Sequence, residues 1–182
     1  MNSKTILYIA MSMDGFISSE NDNIDFLNPY QIEGEDYGYQ TFIDSVSHIL
    51  VGRRTFEVVQ AMGFQYHPDK TVYVATRSNA KSNNKNLIFY NGKLESLISQ
   101  IKSTSASNIY CDGGAELANS LISKGLIDEI ILSIIPVKLK TGTVLFENGR
   151  IPSTFTQTHQ FNYQNGLVQH HFQKNGYSNE DG

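Results

Sequence analysis

A glycine pair between a predicted strand and a predicted helix is the feature best suited to binding chemistry. An apolar strand over residues 108–111 leads into Asp112, Gly113, Gly114, Ala115, Glu116 and Leu117. Glycine permits a tight turn and leaves no Cβ between the backbone and a ligand. The free N–H groups and the dipole of a helix N-terminus favour an anion. The segment therefore predicts a phosphate site, with a purely structural turn as the alternative.

Two further predicted strands end in cationic and hydroxyl side chains. The strands over residues 47–51 and 71–75 are followed by Gly52, Arg53, Arg54 and Thr55 and by Thr76, Arg77 and Ser78, respectively. In open α/β sheets, ligands bind at the carboxyl ends of the strands, and arginine is well suited to phosphate recognition. The three segments together predict a site for a phosphorylated ligand, with solvated surface arginines as the alternative.

Carboxylates near this edge of the predicted sheet are candidates for proton transfer. Asp14 follows the first predicted strand, and Glu35 and Asp36 lie at the start of the first predicted helix. Their alternative roles are structural, because Asp-Gly is a common turn dipeptide and acidic residues stabilise a helix N-terminus.

The histidines do not form a metal-binding pattern. His170 and His171 are neighbours on a predicted strand and so point to opposite faces of the sheet. The other three histidines lack the spacing of metal ligands. The sequence therefore predicts no metal site.

Alternating strands and helices must position these residues. The predicted strands cover residues 5–11, 47–51, 71–75, 87–90, 108–111 and 129–135, and the predicted helices cover residues 34–45, 55–62, 93–103 and 115–124. This alternation predicts an α/β fold with a mostly parallel central sheet and helices on both faces. Asn165-Gly166, between strands over residues 154–163 and 167–173, predicts a C-terminal antiparallel hairpin.

The order and spacing of these motifs resemble the dihydrofolate-reductase-like family. The branch concerned contains the reductase domain of bifunctional riboflavin-biosynthesis enzymes, the pyrimidine reductases, and stand-alone bacterial homologues. The similar segments are residues 10–17 around Met13-Asp14-Gly15, residues 52–57, 72–78 and 113–114, and residues 125–146. The resemblance covers residues 8–172 and implies a three-layer dihydrofolate-reductase-like fold.

The resemblance also implies an NADPH-dependent reductase that transfers a hydride to a small heterocyclic acceptor. The acceptor would be a pterin or folate, or an aminopyrimidine such as 5-amino-6-(5-phosphoribosylamino)uracil. Asp14 would lie in the loop that covers the nicotinamide, and Asp36 would lie near the substrate-binding carboxylate of true dihydrofolate reductases. The expected cofactor-binding residues are Ala10, Gly52, Arg53, Arg54, Thr55, Thr76, Arg77, Ser78, Asp112, Gly113, Gly114, Ala115, Glu116 and Leu117.

Two questions about the acceptor stay open at this level. True dihydrofolate reductases carry a tryptophan beside the active-site loop, and this chain has none, which favours the pyrimidine-reductase branch. Lys138 and Lys140 are candidate ligands for a ribose phosphate, but solvated lysines explain them equally well.

The alternative to an enzyme is a non-catalytic NADP(H)-binding or regulatory module on the same fold.

Length and composition indicate a single globular domain over residues 1–174, with a flexible tail over residues 175–182. The chain has 182 residues and a formal net charge of −4, which disfavours a nucleic-acid partner. No apolar run is long enough to span a bilayer. A single cysteine, Cys111, suits a reducing compartment, so we expect a cytoplasmic protein in which this thiol is buried and inert.

The strand over residues 129–135 is apolar, and together with the C-terminal hairpin it is predicted to lie at the edge of the sheet. An apolar edge favours pairing between chains, and the members of the family that this chain resembles commonly form dimers. We therefore expect a homodimer. The alternative is that the loop over residues 142–153 covers this strand within one chain.

Overall fold

The computed structural model describes residues 3–176, which form one large sheet and one small one. The strands are β1 (Thr5–Ser12), β2 (Phe16–Ser18), β3 (Val46–Gly52), β4 (Thr71–Ala75), β5 (Leu87–Tyr90), β6 (Asn108–Gly113), β7 (Glu129–Ile135), β8 (Thr143–Val144), β9 (Phe155–Asn162) and β10 (Val168–Lys174). The helices are α1 (Tyr39–Asp44), α2 (Arg53–Ala61), α3 (Leu94–Thr104) and α4 (Ala115–Ser123), with 3-10 segments at Glu20–Asp22 and Asp25–Tyr30.

The large sheet has the strand order β5-β4-β3-β6-β1-β7-β10-β9 within the described residues. In this order, the first six strands (β5, β4, β3, β6, β1 and β7) are all parallel to their neighbours. The strand β10 runs antiparallel to both β7 and β9. The small sheet joins β2 to β8. The predicted fold class, including the C-terminal antiparallel hairpin, is confirmed.

Helices cover both faces of the sheet because successive strand residues point to opposite sides. On one face Leu7 and Leu50 pack with apolar residues of α3 and α4. On the other face Ile6 and Ile49 pack with apolar residues of α1 and α2. The central strand β3 is therefore apolar on both sides, as parallel strands buried between helices are.

The first helix is shorter than the prediction of residues 34–45. Gly34, Tyr37 and Gly38 have φ angles of +83°, +55° and +79°, which a right-handed helix does not allow. The chain therefore reaches α1 through turns, and Glu35 and Asp36 precede the helix instead of beginning it. The second helix begins at Arg53, two residues before the predicted start at Thr55.

The prediction of an edge position is wrong for residues 129–135, because β7 lies between β1 and β10, but it is right for the C-terminal hairpin. The edge at this end is β9, on which every residue after Phe155 is exposed. Part of the loop over residues 142–153 covers one face of β7, since Leu145 and Phe146 pack into the same cluster as Ile130. Residues 177–182 of the predicted tail lie outside the described residues.

Candidate active site

An open cleft of about 1300 Å³ lies at the carboxyl ends of β3, β4 and β6 and crosses β1. It brings together nearly all the residues that the sequence predicts to bind a cofactor. Those that line it are Ala10, Gly52, Arg53, Arg54, Thr55, Thr76, Arg77, Ser78, Asp112, Gly114, Ala115, Glu116 and Leu117. Gly113, the remaining one, is buried as the last residue of β6.

Two strand-to-helix junctions meet in the wall of this cleft without an intervening side chain. A Cβ on Gly52 would lie 3.4 Å from the carbonyl oxygen of Gly113 and 3.6 Å from the amide nitrogen of Gly114. A Cβ on Gly114 would lie only 2.8 Å from Oγ1 of Thr55. Glycine at these positions therefore allows the N-termini of α2 and α4 to lie side by side.

Both helix N-termini are suited to an anion. Gly52 precedes α2 and Gly114 precedes α4, and neither helix has a side-chain cap. Uncapped N–H groups of a first helical turn need a partner from solvent or from a ligand. Two such turns beside each other, open to a cleft, form a cradle that suits the phosphates of a dinucleotide.

The arginines at this end of the cleft are paired with carboxylates. The ion pairs are Arg53 with Glu57 at 2.7 Å, Arg54 with Asp22 at 2.5 Å and Arg77 with Glu116 at 2.9 Å. The most exposed is the last, in which the Arg77 side chain is 94% accessible. Exposed pairs of this kind contribute only about 0–1 kcal/mol, so a phosphate group can compete for each guanidinium.

Aromatic side chains line the other end of the cleft. The ring centroid of Tyr8 lies 5.7 Å from that of Tyr39 and 6.4 Å from that of Tyr110, edge-on in both pairs. Burial raises the pKa of Tyr8 and of Tyr39 to about 12. Both hydroxyls therefore keep their protons at neutral pH.

Asp112 connects the aromatic end to the end that carries the arginines. Its carboxyl accepts hydrogen bonds from the hydroxyls of Tyr110 at 2.5 Å and Tyr66 at 2.6 Å. Burial raises the pKa of Asp112, and the two hydrogen bonds oppose that effect without cancelling it. No cation pairs with this carboxyl in the described part of the chain. Asp112 is thus a carboxyl in a cleft that holds its proton more tightly than a solvated one.

Sequence reasoning named Asp112 as a cofactor-binding residue and did not find this hydrogen-bond network. Part of it was accessible from the sequence, because Tyr110 and Asp112 are two residues apart on a strand and so point to the same face. Tyr66 had no comparable signal, since it lies in the irregular segment between α2 and β4.

Asp14, the first predicted catalytic carboxylate, does not line the cleft. It accepts hydrogen bonds from the Ser12 hydroxyl at 2.6 Å and from the backbone amides of Leu139 at 3.1 Å and Lys140 at 2.9 Å. Desolvation acts to raise the pKa of Asp14, but these hydrogen bonds outweigh it and lower the pKa. In the structure Asp14 joins the turn after β1 to the loop after β7.

Glu35 and Asp36 are exposed and also lie outside the cleft lining. Asp36 accepts hydrogen bonds from the amides of Gln40 and Gly38, both at 2.9 Å, and these bonds lower its pKa. Glu35 accepts one from the amide of Tyr37 at 2.8 Å. Both carboxylates therefore stabilise the turns that lead into α1.

The structure also shows the positions of Cys111 and of the two lysines that the sequence offers as phosphate ligands. Cys111 is fully buried, as predicted, and burial raises the pKa of its thiol to about 12. Lys138 and Lys140 are exposed and do not line the cleft. Within residues 3–176, no group of three or more His, Cys, Asp or Glu side chains could hold a metal ion, and no helix is long and apolar enough to cross a membrane.

Two solved structures share this architecture. A Shewanella sp. PV-4 protein named for riboflavin biosynthesis superposes with a TM-score of 0.83 at 22% identity, over 94% of this chain and 98% of its own. Dihydrofolate reductase from Enterococcus faecalis, complexed with NADP(H), gives a TM-score of 0.68 at 16% identity, over 96% and 99% of the two chains. The fold is therefore that of the dihydrofolate reductases.

Sequence comparison gives the family. YwjB of Bacillus subtilis (strain 168), an uncharacterized protein, is 40% identical over 148 residues, which cover 80% of this chain and 84% of YwjB. Dihydrofolate reductase type 1 of Escherichia coli is 30% identical over 152 residues, which cover 84% and 85%. A family model described as the RibD C-terminal domain matches residues 3–169. This confirms the family resemblance that the sequence motifs indicated. The chain belongs to the RibD C-terminal domain family.

Proposed function

We propose that this protein is an NADPH-dependent reductase that transfers a hydride to a small heterocyclic acceptor of the pterin, folate or aminopyrimidine type. One observation carries the proposal: a single cleft joins two uncapped helix N-termini and a set of arginines to an aromatic pocket with a carboxyl of raised pKa. Relatives named as dihydrofolate reductases, one of them complexed with NADP(H), support it.

Different groups in the cleft suit the different phosphate groups of this cofactor. The first turns of α2 and α4, with Gly52, Thr55 and Gly114, would hold the pyrophosphate. Arg77, with the hydroxyls of Thr76 and Ser78, would hold the adenosine 2′-phosphate. The bound nicotinamide would supply a hydride to a C=N or C=O bond of the acceptor.

Asp112 is the group best placed to handle the proton that the reduction consumes. A carboxyl with a raised pKa holds its proton to a higher pH than a solvated carboxyl does, and it can donate that proton to the nitrogen or oxygen next to the reduced carbon. Tyr110 and Tyr66 hold both oxygens of this carboxyl in place. Tyr8 and Tyr39 would exclude water and pack against the acceptor ring.

Replacement of Arg77 tests the preference for NADPH. Arg77→Ala should weaken NADPH binding by about tenfold while leaving NADH binding nearly unchanged, because only NADPH carries the 2′-phosphate. Glu116→Gln, which removes the carboxylate that competes for Arg77, should leave NADPH binding equal or tighter. Titration calorimetry measures both, with Arg150→Ala as a control for lost charge outside this cleft. Equal losses for NADPH and NADH would contradict the assignment.

Replacement of Gly114 tests the phosphate cradle. Gly114→Val should weaken NADPH binding by about tenfold or more, because its Cβ would displace Thr55 and its methyl groups would fill the space between the two helix N-termini. Gly149→Ala is the control: Gly149 has φ +64° and no neighbour within 4 Å of a Cβ, so the change should cost about 1 kcal/mol of stability and no affinity. Parental affinity in Gly114→Val would show that this turn is only structural.

Replacement of Asp112 tests the proton donor. Asp112→Asn keeps the shape of the side chain but removes the acidic proton, so single-turnover reduction should slow by about 100-fold with NADPH affinity unchanged. In the parent protein the rate should fall as pH rises through the raised pKa of Asp112, because the carboxyl then loses its proton. The asparagine variant should lack that dependence.

Asp14→Asn and Asp36→Asn are matched controls that also test the original sequence prediction. Both should reduce dihydrofolate, a dihydropterin or an aminouracil riboside at close to the parental rate. A large loss in either variant, with Asp112→Asn unaffected, would return the catalytic role to the predicted carboxylates. NADPH binding without turnover of any of these acceptors would instead favour the non-catalytic module.

The proposed assembly is a homodimer through the exposed edge at β9. Phe161 lies on this strand with 46% exposure, its ring centroid 5.2 Å from that of His171, and burial lowers the pKa of His171. The edge strand β9 carries no lysine, arginine, aspartate or glutamate, and an edge strand without these charges favours pairing. Light scattering should show a dimer that Phe161→Lys converts to a monomer, with Ile88→Lys on the opposite edge strand as the control. A parental monomer at micromolar concentration would contradict the proposal.

A further inference from the structure

We infer that Gln169 is a positioning residue that fixes the Tyr8 side chain in the cleft wall from outside the cleft. Gln169 lies on β10 and is not among the residues that line the cleft, whereas Tyr8 is. The kinetic consequence rests on the proposed function, because Tyr8 would contact the acceptor there. The positioning itself follows from the hydrogen bonds and can be tested without cofactor or acceptor.

Gln169 is a buried polar side chain with hydrogen bonds at both ends of its amide group. Only 3% of the residue is exposed. Its amide nitrogen lies 3.2 Å from the Tyr8 hydroxyl, 3.1 Å from the carbonyl oxygen of Tyr37 and 3.2 Å from Oγ of Ser133. Its amide oxygen lies 3.0 Å from Nε2 of His171. The side chain therefore links β1, β7, β10 and the turn before α1.

The partners decide which end of the Gln169 amide faces Tyr8. The carbonyl oxygen of Tyr37 can only accept hydrogen bonds, so the NH2 group must face it. The amide oxygen then accepts a hydrogen bond from Nε2 of His171. The Nε2–H form of neutral imidazole and the imidazolium ion can both donate this bond, so the amide keeps its orientation whether or not His171 is protonated.

Tyr8 is held by ring packing and by its hydroxyl group. Its ring stacks on Phe42 with the centroids 4.8 Å apart. Its hydroxyl accepts a hydrogen bond from Gln169 and donates one to the carbonyl oxygen of Tyr37 at 3.1 Å. Packing alone lets a ring slide across its neighbour, because dispersion contacts are individually weak. The two hydrogen bonds therefore fix where the Tyr8 ring lies in the cleft wall.

The shared acceptor, the carbonyl oxygen of Tyr37, is itself held in place. Tyr37 has a φ of +55°, and its carbonyl oxygen accepts hydrogen bonds from both Tyr8 and Gln169. Its hydroxyl accepts a hydrogen bond at 2.7 Å from the amide of Asn165, in the turn between β9 and β10. The C-terminal hairpin thus holds this acceptor at the point where Tyr8 and Gln169 meet.

Gln173 provides a matched control on the same strand. Side chains alternate along a strand, so Gln173 points to the same face of the sheet as Gln169. Its Nε2 is buried without a hydrogen-bond partner among the described residues. Replacement of Gln173 therefore removes a buried amide without breaking any link to Tyr8.

Nuclear magnetic resonance tests the positioning directly in protein without cofactor or acceptor. The chain has ten tyrosines, and with a ¹³C label at Cζ the Tyr8 resonance is the one that Tyr8→Phe removes. Gln169→Met keeps the length of the side chain but removes its hydrogen bonds, so it should shift or broaden the Tyr8 resonance. Gln173→Met should leave that resonance unchanged. An unchanged Tyr8 resonance in Gln169→Met, or an equal change in Gln173→Met, would overturn the inference.

Steady-state kinetics test the consequence for the acceptor. Gln169→Met should raise KM for the acceptor by about fivefold, with kcat within about twofold of the parent and NADPH affinity unchanged. Tyr8→Phe should have a similar effect, and the double variant should show no further increase, because both changes remove the same contact. Effects that multiply in the double variant would show that Gln169 acts by another route and would overturn the inference.

Tyr8→Phe also carries the test if Gln169→Met does not fold. It removes the same hydrogen bond from the other side and leaves Gln169 with its partners Tyr37, Ser133 and His171. An unchanged KM in this variant would count against the inference.

The two measurements separate the inference from the proposed function. A Tyr8 resonance that changes only in Gln169→Met, in a protein that reduces none of the acceptors, supports the positioning role and contradicts the reductase proposal. Reduction with the parental KM in Gln169→Met supports the reductase proposal and overturns the inference.

Discussion

Backbone contact between two strand-to-helix junctions is the constraint on which the cleft depends. A Cβ on Gly52 would lie against the peptide between Gly113 and Gly114, and a Cβ on Gly114 would lie too close to Oγ1 of Thr55. Because β3 and β6 are neighbours in the sheet, this contact fixes the N-termini of α2 and α4 beside each other. Their uncapped N–H groups then face one volume, and the positions of the arginines and of Asp112 follow from the strands that end there.

The same arrangement gives the two ends of the cleft different electrostatic environments. At the carboxyl ends of β3 and β4, exposed arginines and carboxylates form weak pairs that a phosphate can replace. At β1 and β6, tyrosine rings line the cleft, and Asp112, which has no cationic partner among the described residues, holds its proton more tightly than a solvated carboxyl. The two environments touch at Asp112, where a proton would be delivered to an acceptor reduced beside the nicotinamide.

Sequence patterns predicted the sheet and the residues that line the cleft at its carboxyl edge, because both depend on local rules. Apolar runs indicate buried parallel strands, and glycine or arginine after such a run lies at the carboxyl edge whatever the tertiary detail. The start of α1 was predicted too early because Tyr37 has a positive φ, which is not expected for a tyrosine. The edge strand was misassigned because strand order is a long-range property: β10 returns to pair with β7, and no local pattern specifies that partner.

The carboxylates show why the predicted chemistry of the site was the least accessible part. Asp14 and Asp36 accept backbone N–H hydrogen bonds at the surface, which lower their pKa values and keep them ionised. Asp112 accepts hydrogen bonds from two tyrosine hydroxyls, yet its burial outweighs them and raises its pKa. The balance between desolvation and hydrogen bonding decides which carboxyl can carry a proton. That balance depends on Tyr66, 46 residues away in the chain, so only the folded structure distinguishes a carboxyl of raised pKa from a turn-forming aspartate.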